Sequence, residues 1–202
     1  YWDDVVGNKQ WHKAVRAYLA ALNFMDAQLG RLLDKFYQMS FVDNTVIVLW
    51  SDQGYHLGEK LRWRKWSLWE EVTRVPLMIV APGITTPGTV CTESVSLLDI
   101  YPTLVELCGL DHMPGIEGVS LVPQLMNPGT SRNRPAITTK SYRNHSVRSN
   151  RWRYIRYADD SEELYDHDND PNEWTNLASD PAYITVKQAL AQWLPAVNTP
   201  PI

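Results

Sequence analysis

The chain has 202 residues, of which 44% are hydrophobic and 21% charged, and a formal net charge of −4. That length supports one domain, or one with a small annex, and the composition is that of an ordinary globular protein. An acidic balance with no basic stripe argues against nucleic acid as the main partner, and no apolar run approaches the ~20 residues of a membrane-spanning helix.

The first predicted element runs from Lys13 to Phe36. Val15, Tyr18, Leu22, Met25, Leu29, Leu32 and Phe36 alternate at spacings of three and four, which predicts a long amphipathic helix packed on a sheet. Asp26 on this helix is expected to pair with an arginine or a backbone group. Asp43-Asn44 signals a turn. Thr45 to Trp50 and Val75 to Val80 are apolar, β-branched runs without alternation, which reads as buried strands of a parallel sheet covered on both faces. Between them the chain turns polar at Ser51-Asp52-Gln53-Gly54, just past the carboxyl end of the first strand, where α/β sheets bind ligands. Asp52 and Gln53 offer hard oxygen donors of the kind that suits Ca²⁺ or Mg²⁺. Lys65 follows among Arg62, Trp63, Arg64 and Trp66, suited to holding an anionic oxygen.

After the loop from Gly83 to Gly88, Leu97 to Leu107 predicts a helix with Pro102 near its start and Gly109 at its end. Cys91 and Cys108 lie in otherwise apolar stretches and are expected to be buried free thiols, a disulfide being the alternative. Val119 to Leu125 is a short apolar stretch, and Gly129 to Arg134 reads as a polar linker. From Pro135 the pattern changes. Ala136 to Lys140, Ser146 to Arg148, Arg151 to Tyr157 and Glu163 to Tyr165 predict short strands, with turns at Ser149-Asn150 and Ala158 to Ser161. Tyr183 to Leu194 predicts a closing helix with Val186, Leu190 and Leu194 on one face. The tail from Pro195 to Ile202 is expected to fray. Residues 1–134 therefore read as one unit and 135–202 as a small α+β subdomain. Asp166, Asp168 and Asp170 mimic the start of a calcium loop, but Pro171 and Leu177 stand where glycine and glutamate are required, so a turn is expected.

The residues also carry a resemblance. S-D-Q-G-Y-H-L-G-E-K from Ser51, followed by W-R-K-W-S-L-W-E-E and T-R-V-P-L, resembles the second conserved block of the sulfatase family, nearest to its iduronate-2-sulfatase-like and choline-sulfatase-like members. Tyr18 to Leu33, Val95 to Leu104 and Glu163 to Leu177 resemble further blocks in the same order. The resemblance implies an α/β, alkaline-phosphatase-like fold, here partial: a mixed sheet flanked by helices, plus a small C-terminal antiparallel sheet with a closing helix. It implies a sulfuric ester hydrolase acting on a sulfate ester, a sulfated sugar being one candidate, with the periplasm or the outside of the cell expected and the cytoplasm as the alternative. It makes Asp52 and Gln53 metal ligands, most simply for Ca²⁺ with Mg²⁺ as the alternative, and Lys65 the residue that contacts the sulfate and the leaving oxygen. His56 is then a candidate proton donor or substrate contact, with pairing to Glu59 as the other use. Arg64, with Arg62, is a candidate for a substrate carboxylate, and His145 is a candidate substrate contact.

The family's Cys/Ser-x-Pro/Ala-x-Arg nucleophile motif, source of its formylglycine, is matched at neither Cys91 nor Cys108, and Asp3-Asp4 lacks the strand that precedes the family's aspartate pair. The resemblance is therefore to the carboxyl-terminal half, with formylglycine expected in the amino-terminal half. Two other readings stand beside it: a phosphodiesterase or phosphonate hydrolase of the same superfamily, and a non-catalytic module that binds sulfated glycans. Oligomeric state is not legible.

Overall fold

The computed structural model describes residues 1–200; Pro201 and Ile202, the end of the tail expected to fray, lie outside the described residues. A short helix α1 (Trp2–Gly7) precedes α2 (Trp11–Phe36), whose extent follows the three-four spacing of its apolar residues. Lys35 in its last turn complements the negative end of the helix dipole. No residue of α2 is buried, and Leu32 on its apolar face is 65% exposed. The expected packing is thus confined to local contacts such as the Tyr18–Tyr55 ring pair, with centroids 5.1 Å apart.

The central apolar runs form β1 (Ile47–Trp50) and, after the short strands β2 (His56–Leu57) and β3 (Trp63–Arg64) and the helix α3 (Glu70–Thr73), β4 (Leu77–Val80). The expected parallel pairing is corrected: β1 and β4 run antiparallel in register Ile47↔Val80 to Trp50↔Leu77, as a two-stranded sheet. Nor are they buried on both faces, since Trp50, Met78 and Val80 are exposed. A continuous apolar run records what a strand is suited to lie against, not the direction of its neighbour.

Ser96 and Asp99 form a capping box at the start of the helical stretch that leads into α4 (Ile100–Leu107). Pro102 sits early in α4, and Gly109, at φ +63°, adopts the left-handed conformation that ends it. The apolar stretch near residue 120 forms the short helix α5 (Val122–Met126). The segment expected to be a free linker is anchored instead: the Arg132 guanidinium, buried, pairs with buried Asp99 and donates to the Ser94 carbonyl at 3.0 Å. Cys91 and Cys108 are free thiols, as expected, but exposed. Their apolar neighbours Val90 and Leu110 are exposed too, so apolar flanks did not signal burial here.

The last third is a consecutive antiparallel meander of β5 (Ala136–Thr139), β6 (His145–Arg148), β7 (Trp152–Arg156) and β8 (Glu162–Asp166), closed by α6 (Ile184–Ala191). Side-chain alternation divides its core in two. On one face Val147, Tyr154 and Leu164 pack with Leu190 of α6, and Val186 and Leu194 join them, as the helix periodicity predicts. On the other face Ile155 and Tyr165 pack with Leu68, which ties this sheet to the segment before α3. The Asp166 turn is no calcium loop: Arg151 takes its carboxylate with two bonds of 2.7 Å. The tail is held at least as far as Asn198, whose side-chain oxygen bonds His145.

The open apolar face of α2 and the unpaired outer edges of the β1–β4 sheet, among the described residues, carry a prediction. The 202-residue chain on its own is expected to associate in a concentration-dependent way, and Leu22→Lys with Met25→Lys on the exposed helix face should reduce it. Sedimentation velocity across a concentration series reads this directly; a monomer throughout would contradict it.

Candidate active site

The turn after β1 is fixed from both sides. Ser51 N–H extends the β1–β4 ladder to the Pro76 carbonyl at 3.3 Å, and its hydroxyl donates to the Gln53 carbonyl at 2.8 Å. Gly54 and Tyr55 then bond the Val72 and Glu71 carbonyls of α3 at 2.8 and 2.9 Å. Glycine is required at 54 because a Cβ there would lie 1.9 Å from the Glu71 carbonyl oxygen. Held this way, Asp52 and Gln53 line a cleft of ≈ 920 Å³ that runs from Trp66, Ser67 and α3 to β5, Arg148 and Arg153. The Asp52 carboxylate is exposed, and neither it nor the Gln53 amide is taken by another side chain among the described residues.

The following segment folds back on itself. β2 and β3 pair antiparallel, His56 opposite Arg64. Lys60, Leu61, Arg64 and Trp66 all have φ between +50° and +75°, a conformation non-glycine residues avoid. Such concentrated strain marks a segment held in shape by its surroundings. Lys60 is one holding point: its ammonium lies 4.8 Å from the Trp69 ring and 4.6 Å from the Tyr165 ring and bonds the Glu173 carbonyl. The fold-back turns His56 inward, to 0% exposure. Its Nε2 lies 2.7 Å from the Ser67 hydroxyl and its Nδ1 3.9 Å from Glu71 Oε2. Burial lowers the His56 pKa and raises that of Glu71. Glu59, the other expected partner of His56, instead accepts from Leu57 N–H at 2.6 Å.

A buried charge network meets the cleft wall at Glu70, Arg148 and Arg153. Arg153, 1% exposed, pairs with Glu70 and Glu173 and donates to the Leu68 carbonyl at 3.0 Å and Ser146 Oγ at 2.8 Å. Arg148 reaches Glu70 at 3.1 Å, and His167 reaches Glu173 at 2.9 Å. Burial alone would raise the Glu70 pKa, but the Arg148 hydrogen bond and the Arg153 and Arg148 charges override it and hold the carboxyl at about 2. Glu70, His167 and Glu173 lie close enough together to suggest a metal cluster. They do not fit one, because both carboxylates are already neutralised by arginines. Asp52 and Gln53 do fit a hard cation, as free oxygen donors in a cleft, and supply part of the about six to eight oxygens Ca²⁺ takes.

The structure thus gathers Asp52 and Gln53 at one cleft and leaves the other expected site residues around it. Lys65 is exposed and immediately precedes Trp66 and Ser67 of the cleft wall. The Arg64 guanidinium lies 4.8 Å over the Tyr1 ring, and Arg62 lies 5.7 Å from the Trp69 ring. His56 cannot touch a substrate from its buried position. His145 shares a sheet face with Val147, on the α6 side, opposite the Arg148 face that lines the cleft; its ring nitrogens bond Thr139 Oγ1 at 2.9 Å and Asn198 Oδ1 at 2.7 Å. A substrate contact for His145 does not fit this placement. Sequence reading singled out neither Ser67 nor Glu71, and the only local signal was their nearness to Lys65.

Comparison with known proteins places the chain. A family model described as "Sulfatase" matches residues 2–110, and one described as "N-sulphoglucosamine sulphohydrolase, C-terminal" matches residues 58–199. The fold is that of these hydrolases, and the chain belongs to the sulfatase family. It is 41% identical to a sulfatase of Formosa agariphila over 96% of this chain and 38% of that protein, and 40% identical to a choline-sulfatase of Rhizobium meliloti over 82% and 33%. It therefore spans about a third of the length of the curated relatives it matches. A solved structure described as in complex with its substrate D-glucosamine-2-N,6-O-disulfate superposes with a TM-score of 0.77 at 31% identity, covering 91% of this chain and 40% of that one. A phosphonate monoester hydrolase of Agrobacterium radiobacter superposes at 0.69 with 28% identity, covering 83% and 37%. Members of the family generally use a divalent cation. No helix of the described residues is long and apolar enough to cross a membrane.

Proposed function

We propose that this chain is the carboxyl-terminal part of a sulfuric ester hydrolase that acts on a sulfated sugar. The observation that carries the reading is the placement of Asp52 and Gln53, two free oxygen donors, at the strand end that opens into the cleft, inside a segment matched by the sulfatase family model. The Asp52 carboxylate and the Gln53 amide oxygen would hold a divalent cation, Ca²⁺ or Mg²⁺, as hard oxygen donors. That cation, when bound, neutralises charge on the sulfate oxygens and activates the attacking group. Lys65, exposed beside the cleft wall, would offer its ammonium to the sulfate and stabilise the charge that develops on the leaving oxygen. The formylglycine nucleophile belongs to the remainder of the protein. The sulfated glucosamine bound by a structural neighbour supports a sugar as the alcohol.

The phosphonate hydrolase neighbour supports a second reading, since the same cation and lysine serve a phosphoryl group equally well. The test is to assay the complete protein on 4-nitrophenyl sulfate, a panel of sulfated monosaccharides and a phenylphosphonate monoester, with and without chelator. Chelator-sensitive turnover of the sulfates is expected. Preference for the phosphonate would move the assignment to the second reading. Lys65→Ala should lower kcat on the sulfate by about 10²–10³, the usual effect of removing one donor aimed at developing charge. Arg64→Ala, whose guanidinium is engaged by Tyr1, should change it far less.

A further inference from the structure

His56 is the one fully buried histidine beside the cleft, and it is half-satisfied. Its Nε2 meets the Ser67 hydroxyl at 2.7 Å, while its Nδ1 faces Glu71 Oε2 at 3.9 Å. Both Nδ1 and Oε2 are buried and neither has another hydrogen-bond partner. Buried polar groups left unpaired are costly, so an arrangement that serves both is strongly favoured. The 3.9 Å between Nδ1 and Oε2 exceeds hydrogen-bond range, and a proton on Glu71 together with a side-chain shift of about 1 Å toward Nδ1 closes it. The ring then carries its own proton on Nε2 and donates to Ser67 Oγ, which frees the serine hydrogen to point away from His56. Ser67 lines the same cleft as Asp52 and Gln53. Donors then run in one direction, from Glu71 through His56 to Ser67 and out to the cleft. The directions in which burial moves the two pKa values, Glu71 up and His56 down, agree with a neutral pair.

We propose that Ser67 is a catalytic residue: its hydroxyl hands a proton to the leaving alcohol oxygen and is resupplied from Glu71 through His56, which acts as a positioning and relay residue. The proposal rests on the hydrolase reading above. As the sulfuryl group passes to an oxygen nucleophile, the bond from sulfur to the leaving oxygen breaks and its electron pair stays on that oxygen. The oxygen takes the Ser67 proton, Ser67 Oγ takes the proton of His56 Nε2, and Nδ1 takes the carboxyl proton, leaving Glu71 as carboxylate. The reverse sequence returns the proton when water completes the turnover. His56 thereby acts on the substrate without touching it, which its burial requires.

A purely structural serine and a proton-delivering one differ in their dependence on the leaving group. A nitrophenolate leaves without help, whereas a sugar alkoxide needs its proton. In the complete protein, Ser67→Ala should lower kcat on a sulfated monosaccharide by about 10²–10⁴ and on 4-nitrophenyl sulfate by a far smaller factor. Ser67→Thr, which keeps the hydroxyl, should restore turnover of the sugar ester. Glu71→Gln, at the outer end of the chain of donors, should show the same split and covers the case in which Ser67→Ala does not fold. Equal losses on both esters, or no loss on either, would overturn the relay while the hydrolase assignment stands. If the unaltered protein hydrolyses neither ester, the hydrolase assignment falls and the relay falls with it.

Discussion

Asp52→Ala in the complete protein is expected to strip the bound cation and reduce turnover of sulfate esters by at least the ~10²–10³ that loss of a single transition-state donor costs. It should do so without disturbing the fold. The turn is held by backbone and hydroxyl bonds, Ser51 to Pro76 and Gln53, and Gly54 and Tyr55 to α3, none of which uses the Asp52 side chain. Its carboxylate is exposed, so truncation leaves no cavity and no unpaired buried group. Gln53→Ala removes a neutral ligand from the same site and should weaken cation affinity less than loss of the charged one. Metal analysis of the purified variants, their melting temperatures and kcat on 4-nitrophenyl sulfate separate the effects. A normal cation content in Asp52→Ala would remove Asp52 from the ligand set.

The position of Asp52 and Gln53 at the cleft was legible because the polarity change at the end of an apolar strand is local in sequence. So were the meander and its closing helix, whose residues alternate or repeat at three and four within each element. The direction of the β1–β4 pairing was not legible, because an apolar run is the same whether its neighbour is parallel or antiparallel. The burial of His56 was hidden by the fold-back at residues 60–66, where four non-glycine residues take a conformation that propensity disfavours. The charge network was hidden for another reason. Arg153 and Glu70 stand 83 residues apart, and an arginine in W-R-Y-I-R alternates like any solvent-facing strand residue. Its face of the sheet is covered by the Leu68–Glu70 segment, and only the three-dimensional structure shows that cover.

Arg153→Met should be strongly destabilising. Removing one partner of a buried ion pair leaves the other charge uncompensated, at a cost of about 3–5 kcal/mol. Arg153 compensates two carboxylates, Glu70 and the fully buried Glu173, and also caps the Leu68 carbonyl. Methionine fills much of the volume but satisfies none of them, while Arg148 remains paired with Glu70 and His167 remains in contact with Glu173. The network also sets an acid limb. Glu70 is held at about 2 in the folded protein against an ordinary 4.5, so its ionised form favours folding. That contribution, about 3 kcal/mol, is fully present above pH ~4.5 and is lost as pH falls from there toward 2. In Arg153→Met the Glu70 carboxyl loses one of its cationic partners, its pKa rises, and the stability remaining to be lost in that window shrinks. Urea unfolding of the complete protein and of the variant at pH 7, 5 and 3 measures both effects. The expected result is a variant much weaker than the parent at pH 7, with a smaller further loss between pH 5 and 3. Parallel pH dependences in the two proteins would show that Arg153 does not set the ionisation of Glu70, and equal stability at pH 7 would show that the network contributes nothing to folding.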